Sequence, residues 1–168
     1  MGQIKSKHLG FDWTDDHNLL CNKLILQHKW SSKLYKTGEW VFPISPNNEH
    51  LFIPLFDKIQ ETVVDMYPKI DIVNRTAWVY VSNSKRNQMT YHNHNDVERD
   101  ISTVFYMKKP ADGGISFVDY EYNPVEGELI VFPANAVHMP LATTSDEYRI
   151  AINVNLITSN KYVDFMTR

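Results

Sequence analysis

Ile101-Ser102-Thr103-Val104-Phe105-Tyr106-Met107-Lys108, followed closely by Asp112-Gly113-Gly114, is the stretch on which the reading of this chain turns. β-Branched and aromatic residues fit a pleated, half-buried surface, and a Gly-Gly pair behind an aspartate closes such a run with a turn. The same grammar repeats on both sides. Ile70 to Ser82, Gln88 to His94, Ile115 to Tyr122, Leu129 to Phe132, Val137 to Ala142 and Tyr148 to Ile157 are further short runs rich in Val, Ile, Tyr, Phe and Thr. Ser82-Asn83-Ser84, Asn123-Pro124 with Glu126-Gly127, and Thr144-Ser145-Asp146 punctuate them. Seven or eight such strands after a helical lead-in predict a mainly β, α+β chain: an antiparallel jelly roll, or double-stranded β-helix, with helices on one outer face.

The lead-in reads as two helices. Asp15 or Asp16 caps the first, whose apolar residues Leu19, Leu20, Leu24 and Ile25 recur at helical spacing, with Lys29 and Lys33 towards its far end. The second runs from about Asn47 to Met66. There Leu51, Leu55, Ile59 and Val63 form one stripe, and Pro68 forces a stop. Gly38 to Pro43 reads as a short extended piece between them. The expected organisation is one domain: residues 1–69 as helical support, 70–157 as the roll, and 158–168 as a tail. A chain of 168 residues, 43% hydrophobic and 12% aromatic, buries about 70% of its unfolded surface as one unit.

Seventeen basic against twenty acidic residues, a formal net charge of -3, provide no broad cationic surface for phosphate backbones and argue against a nucleic-acid protein. The single cysteine, Cys21, excludes an internal disulfide and a cysteine-based zinc site, and fits a reducing, cytoplasmic setting. No apolar run approaches the length of a membrane span. Met1-Gly2 with Ser6 matches the short N-myristoylation pattern, but so short a match arises readily by chance, and a soluble protein without membrane attachment is expected.

Chemistry concentrates in Tyr91-His92-Asn93-His94-Asn95-Asp96. In extended backbone His92, His94 and Asp96 project to one face, and a further ligand must come from elsewhere; His138 is the candidate. Two histidines and a carboxylate on one side of an ion form the facial triad of non-haem Fe(II) oxygenases, with the opposite positions open. Asp96 and His138 lie 42 positions apart, room for three strands round a roll, and Arg149 follows 11 positions later inside an apolar strand. A buried arginine needs an anionic partner, either a ligand carboxylate gripped by its planar fork or an Asp or Glu of the protein.

From about Trp78 to Leu156 the chain resembles the 2-oxoglutarate- and Fe(II)-dependent dioxygenases, in their prolyl-4-hydroxylase-like branch. The resemblance runs through His94-Asn95-Asp96, Ile101 to Met107, Gly113 to Phe117, Glu126 to Pro133, His138, and Tyr148 to Ile152. It implies that His94, Asp96 and His138 hold the iron. Arg149 would then bind the distal carboxylate of 2-oxoglutarate, and Tyr106, on one strand face with Ser102 and Val104, would donate a hydrogen bond to it. Tyr80 and Asn153 are further pocket candidates from strand position, whereas Trp78 reads as core. His92 departs from this pattern: His92, His94 and His138 would make a three-histidine site of the cupin type.

The activity implied is hydroxylation of an unactivated C–H bond, peptidyl proline among the candidates, using O2 and yielding succinate and carbon dioxide, with ascorbate as a stimulant. The substrate is a peptide or a small molecule. The polar segment Ser82 to Gln88, with Lys85 and Arg86, reads as a loop at the pocket mouth, and Lys108-Lys109-Pro110 as an exposed turn. The competing reading is a cupin-like jelly-roll module that binds metal or serves as structure, without 2-oxoglutarate chemistry.

Overall fold

The computed structural model describes residues 4–10, 15, 18–19, 21–23, 26, 40–43, 49–84, 90–93 and 100–159. Nine strands and one long helix are defined among them: β1 (Lys5–His8), β2 (Trp40–Pro43), α1 (Glu49–Met66), β3 (Ile72–Ser82), β4 (Ile101–Lys108), β5 (Ile115–Phe117), β6 (Tyr120–Tyr122), β7 (Glu128–Pro133), β8 (His138–Pro140) and β9 (Arg149–Thr158). A six-stranded sheet takes the order β1-β7-β4-β9-β3-β2, and a three-stranded sheet the order β6-β5-β8. All pairings are antiparallel. His92 adds an isolated bridge beside β8, which extends the smaller sheet by one position.

Alternation along the long strands explains the layers. Ile101, Phe105 and Met107 of β4, Leu129 and Val131 of β7, and Ile150, Ile152, Val154 and Leu156 of β9 fall in one apolar cluster, together with Phe52, Leu55, Phe56, Ile59 and Val63 of α1. The intervening Val104, Tyr106, Ile130, Phe132 and Ala151 fall in a second cluster with Ile115 and Phe117 of β5. The large sheet is therefore apolar on both faces, with α1 over one and the smaller sheet over the other. Burying a single leucine or isoleucine side chain contributes about 1.5–3 kcal/mol, so both layers are anchored mainly by these strands.

The jelly-roll expectation and most strand positions agree with this architecture, with several corrections. The run Ile115 to Tyr122 is two strands, because Val118 and Asp119 turn between them. The Val137 to Ala142 run pairs only over His138–Pro140. Of the Gln88 to His94 run, residues 90–93 are described, and only His92 pairs. Lys5–His8, unassigned from sequence, pairs with β7 over four residues. The predicted second helix begins at Glu49 and ends at Met66; Leu55, Ile59 and Val63 of its stripe are fully buried.

Of the first predicted helix, Asp15, Asn18, Leu19, Cys21 to Lys23 and Leu26 are helical. Leu19 is 53% exposed rather than buried, while Leu20, Leu24, Ile25, Lys29 and Lys33 lie outside the described residues. Trp78 is half-buried on the cleft face of β3 rather than in the core. No helix among the described residues is long and apolar enough to cross a membrane.

Candidate active site

The face of the large sheet that meets the smaller sheet carries the cleft. Strand register places its walls: on β9, Arg149, Ala151 and Asn153 stand opposite Ser82, Tyr80 and Trp78 of β3. On the other side Tyr106 and Val104 of β4 stand opposite Ala151 and Asn153. From the smaller sheet, Ile115 pairs with Pro140 and Phe117 with His138. Together Tyr80, His92, Val104, Tyr106, Ile115, His138, Pro140, Arg149, Ala151 and Asn153 line one cleft.

Arg149 sits at one end, 2% exposed. Its Nε donates to Ser82 Oγ at 3.1 Å, and its Nη1 donates to the carbonyls of Gly113 at 2.8 Å and Leu141 at 2.7 Å. Those three acceptors are neutral oxygens, and they fix the plane of the guanidinium. Two loops provide the carbonyls, and Asp112 ties them together. Its carboxylate accepts from Thr143 Oγ1 at 2.5 Å, Thr144 Oγ1 at 2.6 Å and Thr144 N at 2.9 Å. These bonds, the Thr143 hydroxyl foremost, hold the Asp112 carboxyl down at about 2.

Glycines make the approach possible. A Cβ on Gly114 would stand 2.1 Å from the Tyr122 carbonyl oxygen, and one on Gly113, at φ +83°, would stand 3.0 Å from Thr143 Cβ. Lys109 departs from the exposed-turn expectation: it is half-buried next to a buried Pro110, and its Nζ donates to the carbonyls of Pro110 and Asp112 at 2.9 and 3.1 Å. Desolvation, and then the nearby Arg149 charge, lower its pKa.

At the other end stand the histidines. His138 is 3% exposed and its Nδ1 donates to the Ala136 carbonyl at 2.8 Å. A carbonyl only accepts, so Nδ1 carries a proton, and in the neutral ring Nε2 then carries the lone pair that a metal requires. Phe132 and Phe117 brace the ring, with centroids 4.7 and 6.1 Å away. Asn153, 4% exposed, places a buried Nδ2 in the cleft wall with no hydrogen-bond acceptor among the described residues. Such a donor costs about 1–3 kcal/mol unless something accepts from it, which fits a cleft built for a ligand rich in oxygen acceptors.

The sequence-predicted residues thus divide. His138, Arg149, Tyr106, Tyr80, Asn153 and His92 share one cleft. His94 and Asp96 lie outside the described residues, as do Lys85 and Arg86. Among the described residues no three His, Cys, Asp or Glu side chains converge as a metal cage. Ser82, Gly113 and Leu141 were missed by the sequence reading. Their part in holding Arg149 depends on cross-strand register and loop path, for which no local sequence signal exists.

No protein-family model and no curated protein matches the chain by sequence. Its likeness is to solved structures. A Pseudomonas putida prolyl-4-hydroxylase superposes with a TM-score of 0.64 at 15% identity, covering 94% of each chain. SnoK, a non-haem α-ketoglutarate-dependent carbocyclase of nogalamycin biosynthesis, gives a TM-score of 0.69 at 15% identity over 93% of this chain and 80% of its own. HygX from Streptomyces hygroscopicus, solved with nickel and 2-oxoglutarate bound, gives 0.60 at 11% identity over 94% and 83%. The fold of this chain is that of the prolyl-4-hydroxylase-like 2-oxoglutarate- and Fe(II)-dependent oxygenases.

Proposed function

We propose that this chain is an Fe(II)- and 2-oxoglutarate-dependent oxygenase that hydroxylates an unactivated C–H bond of a peptide or small molecule, acting as a single domain in the cytoplasm. One observation carries the reading: a buried arginine, held in plane by Ser82 and two backbone carbonyls, faces a cleft whose other end holds a histidine oriented through its Nδ1 by the Ala136 carbonyl. A dianion with a carboxylate at one end and a chelating group at the other suits that spacing of charge and ligand. HygX, with metal and 2-oxoglutarate bound, shares the fold.

Iron would be held by His138 together with donors of the His92 to Asp96 stretch. Bound there, it supplies activation of O2 coupled to decarboxylation of 2-oxoglutarate to succinate and carbon dioxide. The chain's own residues do the rest. Arg149 binds the distal carboxylate through charge-assisted hydrogen bonds, and Tyr106 and Tyr80 flank it from neighbouring strands. Asn153 Nδ2 donates to a ligand oxygen beyond reach of Arg149. Val104, Ile115, Pro140 and Ala151 form dry walls that keep water from the reacting centre.

The test is an anaerobic titration of Fe(II)-loaded protein with 2-oxoglutarate. The expected result is a visible metal-to-ligand charge-transfer band that grows to one equivalent and is lost in Arg149→Ala at the same concentration. Iron bound with no band on saturation would overturn the reading. Peptidyl proline is the first substrate to try, with uncoupled succinate release as the background.

A further inference from the structure

Two cations hold consecutive carbonyls of one turn. Arg149 Nη1 donates to Gly113 O at 2.8 Å, and Lys109 Nζ donates to Asp112 O at 3.1 Å. The Cα atoms of neighbouring residues are about 3.8 Å apart, so the ammonium and the guanidinium meet on a single short piece of backbone. Their proximity registers in Lys109 itself, whose pKa is lowered by desolvation first and by the Arg149 charge next.

Lys109 is built into this place. It is half-buried beside the buried Pro110, its Nζ also donates to Pro110 O at 2.9 Å, and its backbone N donates to Glu126 Oε2 at 3.1 Å. Among the described residues the ion pair is that of Arg75 with Asp57, and no carboxylate lies within that range of the Lys109 ammonium. Asp112 turns its carboxylate to Thr143 and Thr144, and with Glu128 it offsets the Lys109 charge only from farther away. A neutral donor would staple the turn equally well. Two like charges held close repel each other in the free chain, whereas an anion on Arg149 attracts both.

We propose that Lys109 is a positioning residue for the anion at Arg149: it holds the turn from which Gly113 O fixes the guanidinium, and its charge draws the distal carboxylate of a dianionic 2-oxo acid without touching it. The inference rests on the 2-oxoglutarate reading above and deepens it. The arginine end becomes a two-cation site, set against 2-oxo acids that carry no second carboxylate.

Calorimetry on the Co(II)-loaded full chain tests this with two ligands, 2-oxoglutarate and 2-oxopentanoate, which has the same chain without the distal carboxylate. Lys109→Met should weaken 2-oxoglutarate by on the order of tenfold and leave the affinities for Co(II) and 2-oxopentanoate unchanged. Lys109→Arg, which keeps the charge and the donors, should retain most of the wild-type affinity. A folded Lys109→Met that binds 2-oxoglutarate as wild type does, or that loses both ligands equally, overturns the inference and leaves the oxygenase reading standing. Metal-loaded wild type that binds no 2-oxoglutarate overturns both. Should Lys109→Met not fold or 2-oxopentanoate not saturate, NMR of the Zn(II)-loaded wild-type chain with 13C-labelled lysine decides: the Lys109 Cε signal should move on addition of 2-oxoglutarate, and an unmoved signal overturns the assignment.

Discussion

Arg149 shows what a single side chain contributes here. Its buried guanidinium is placed by Ser82 and two carbonyls, so the carboxylate it would meet faces a fork already fixed in plane. Arg149→Ala should weaken 2-oxoglutarate by on the order of 2–5 kcal/mol, the cost of truncating one partner of a buried charge pair. Arg149→Lys should recover only part of this, because a lysine keeps the charge and loses the planar fork. Calorimetry on the metal-loaded protein distinguishes the two; equal affinity for Lys and Arg would show that charge alone matters. The need for an acceptor was legible from one arginine in an apolar strand. The acceptors that hold it were not, because carbonyls carry no sequence signature. Asn153 was legible for a simple reason: four residues beyond Arg149 on a strand, it returns to the same face.

At the scale of elements, the loop between β4 and β5 and the loop between β8 and β9 act as one piece because Asp112 bridges them. Its carboxyl is held at about 2, below the ordinary aspartate value of 3.8, chiefly by the Thr143 and Thr144 hydrogen bonds. A depressed carboxyl contributes stability that is complete above its unfolded pKa and is lost as pH falls through its folded one. Wild type should therefore lose this contribution between about pH 3.8 and 2, whereas Asp112→Asn should lack it at every pH in that window. Thermal melts of the two proteins across acid pH read the difference, and parallel curves would show that the bridge adds nothing. Most strands were legible because runs of Val, Ile, Phe and Tyr mark β4, β7 and β9 whichever face they cover. β1 was not, since Lys5-Ser6-Lys7-His8 is polar and mostly exposed, and only its pairing with β7 makes it a strand. The break between β5 and β6 was missed because Val118-Asp119 contains neither Gly nor Pro.

For the whole molecule, the layered build couples ligand binding to global stability, since β3, β4 and β9 form both the core and the wall of the cleft. A ligand at a hundredfold excess over its Kd adds about 2.7 kcal/mol, and each kcal/mol moves Tm by roughly 2–4 °C in a chain of this size. Metal should thus raise Tm, 2-oxoglutarate should raise it further only when metal is present, and Arg149→Ala should keep the first increment and lose the second. A 2-oxoglutarate shift of equal size without metal would mean that the chelating end of the ligand is not engaged.

The polar strand β1 has a consequence at this same scale. β7, Glu128-Leu129-Ile130-Val131-Phe132-Pro133, is buried along its whole length, and β1 covers its outer edge with the exposed Ser6, Lys7 and His8, while Lys5 packs its ammonium over the Tyr67 ring. Removal of residues 1–9 would bare the backbone of an apolar strand with high β-propensity, a template for edge-to-edge pairing with other copies. Such a truncated chain should self-associate in a concentration-dependent way on size-exclusion chromatography, and the intact chain should not. In that sense four unassuming residues serve as the molecule's guard against aggregation.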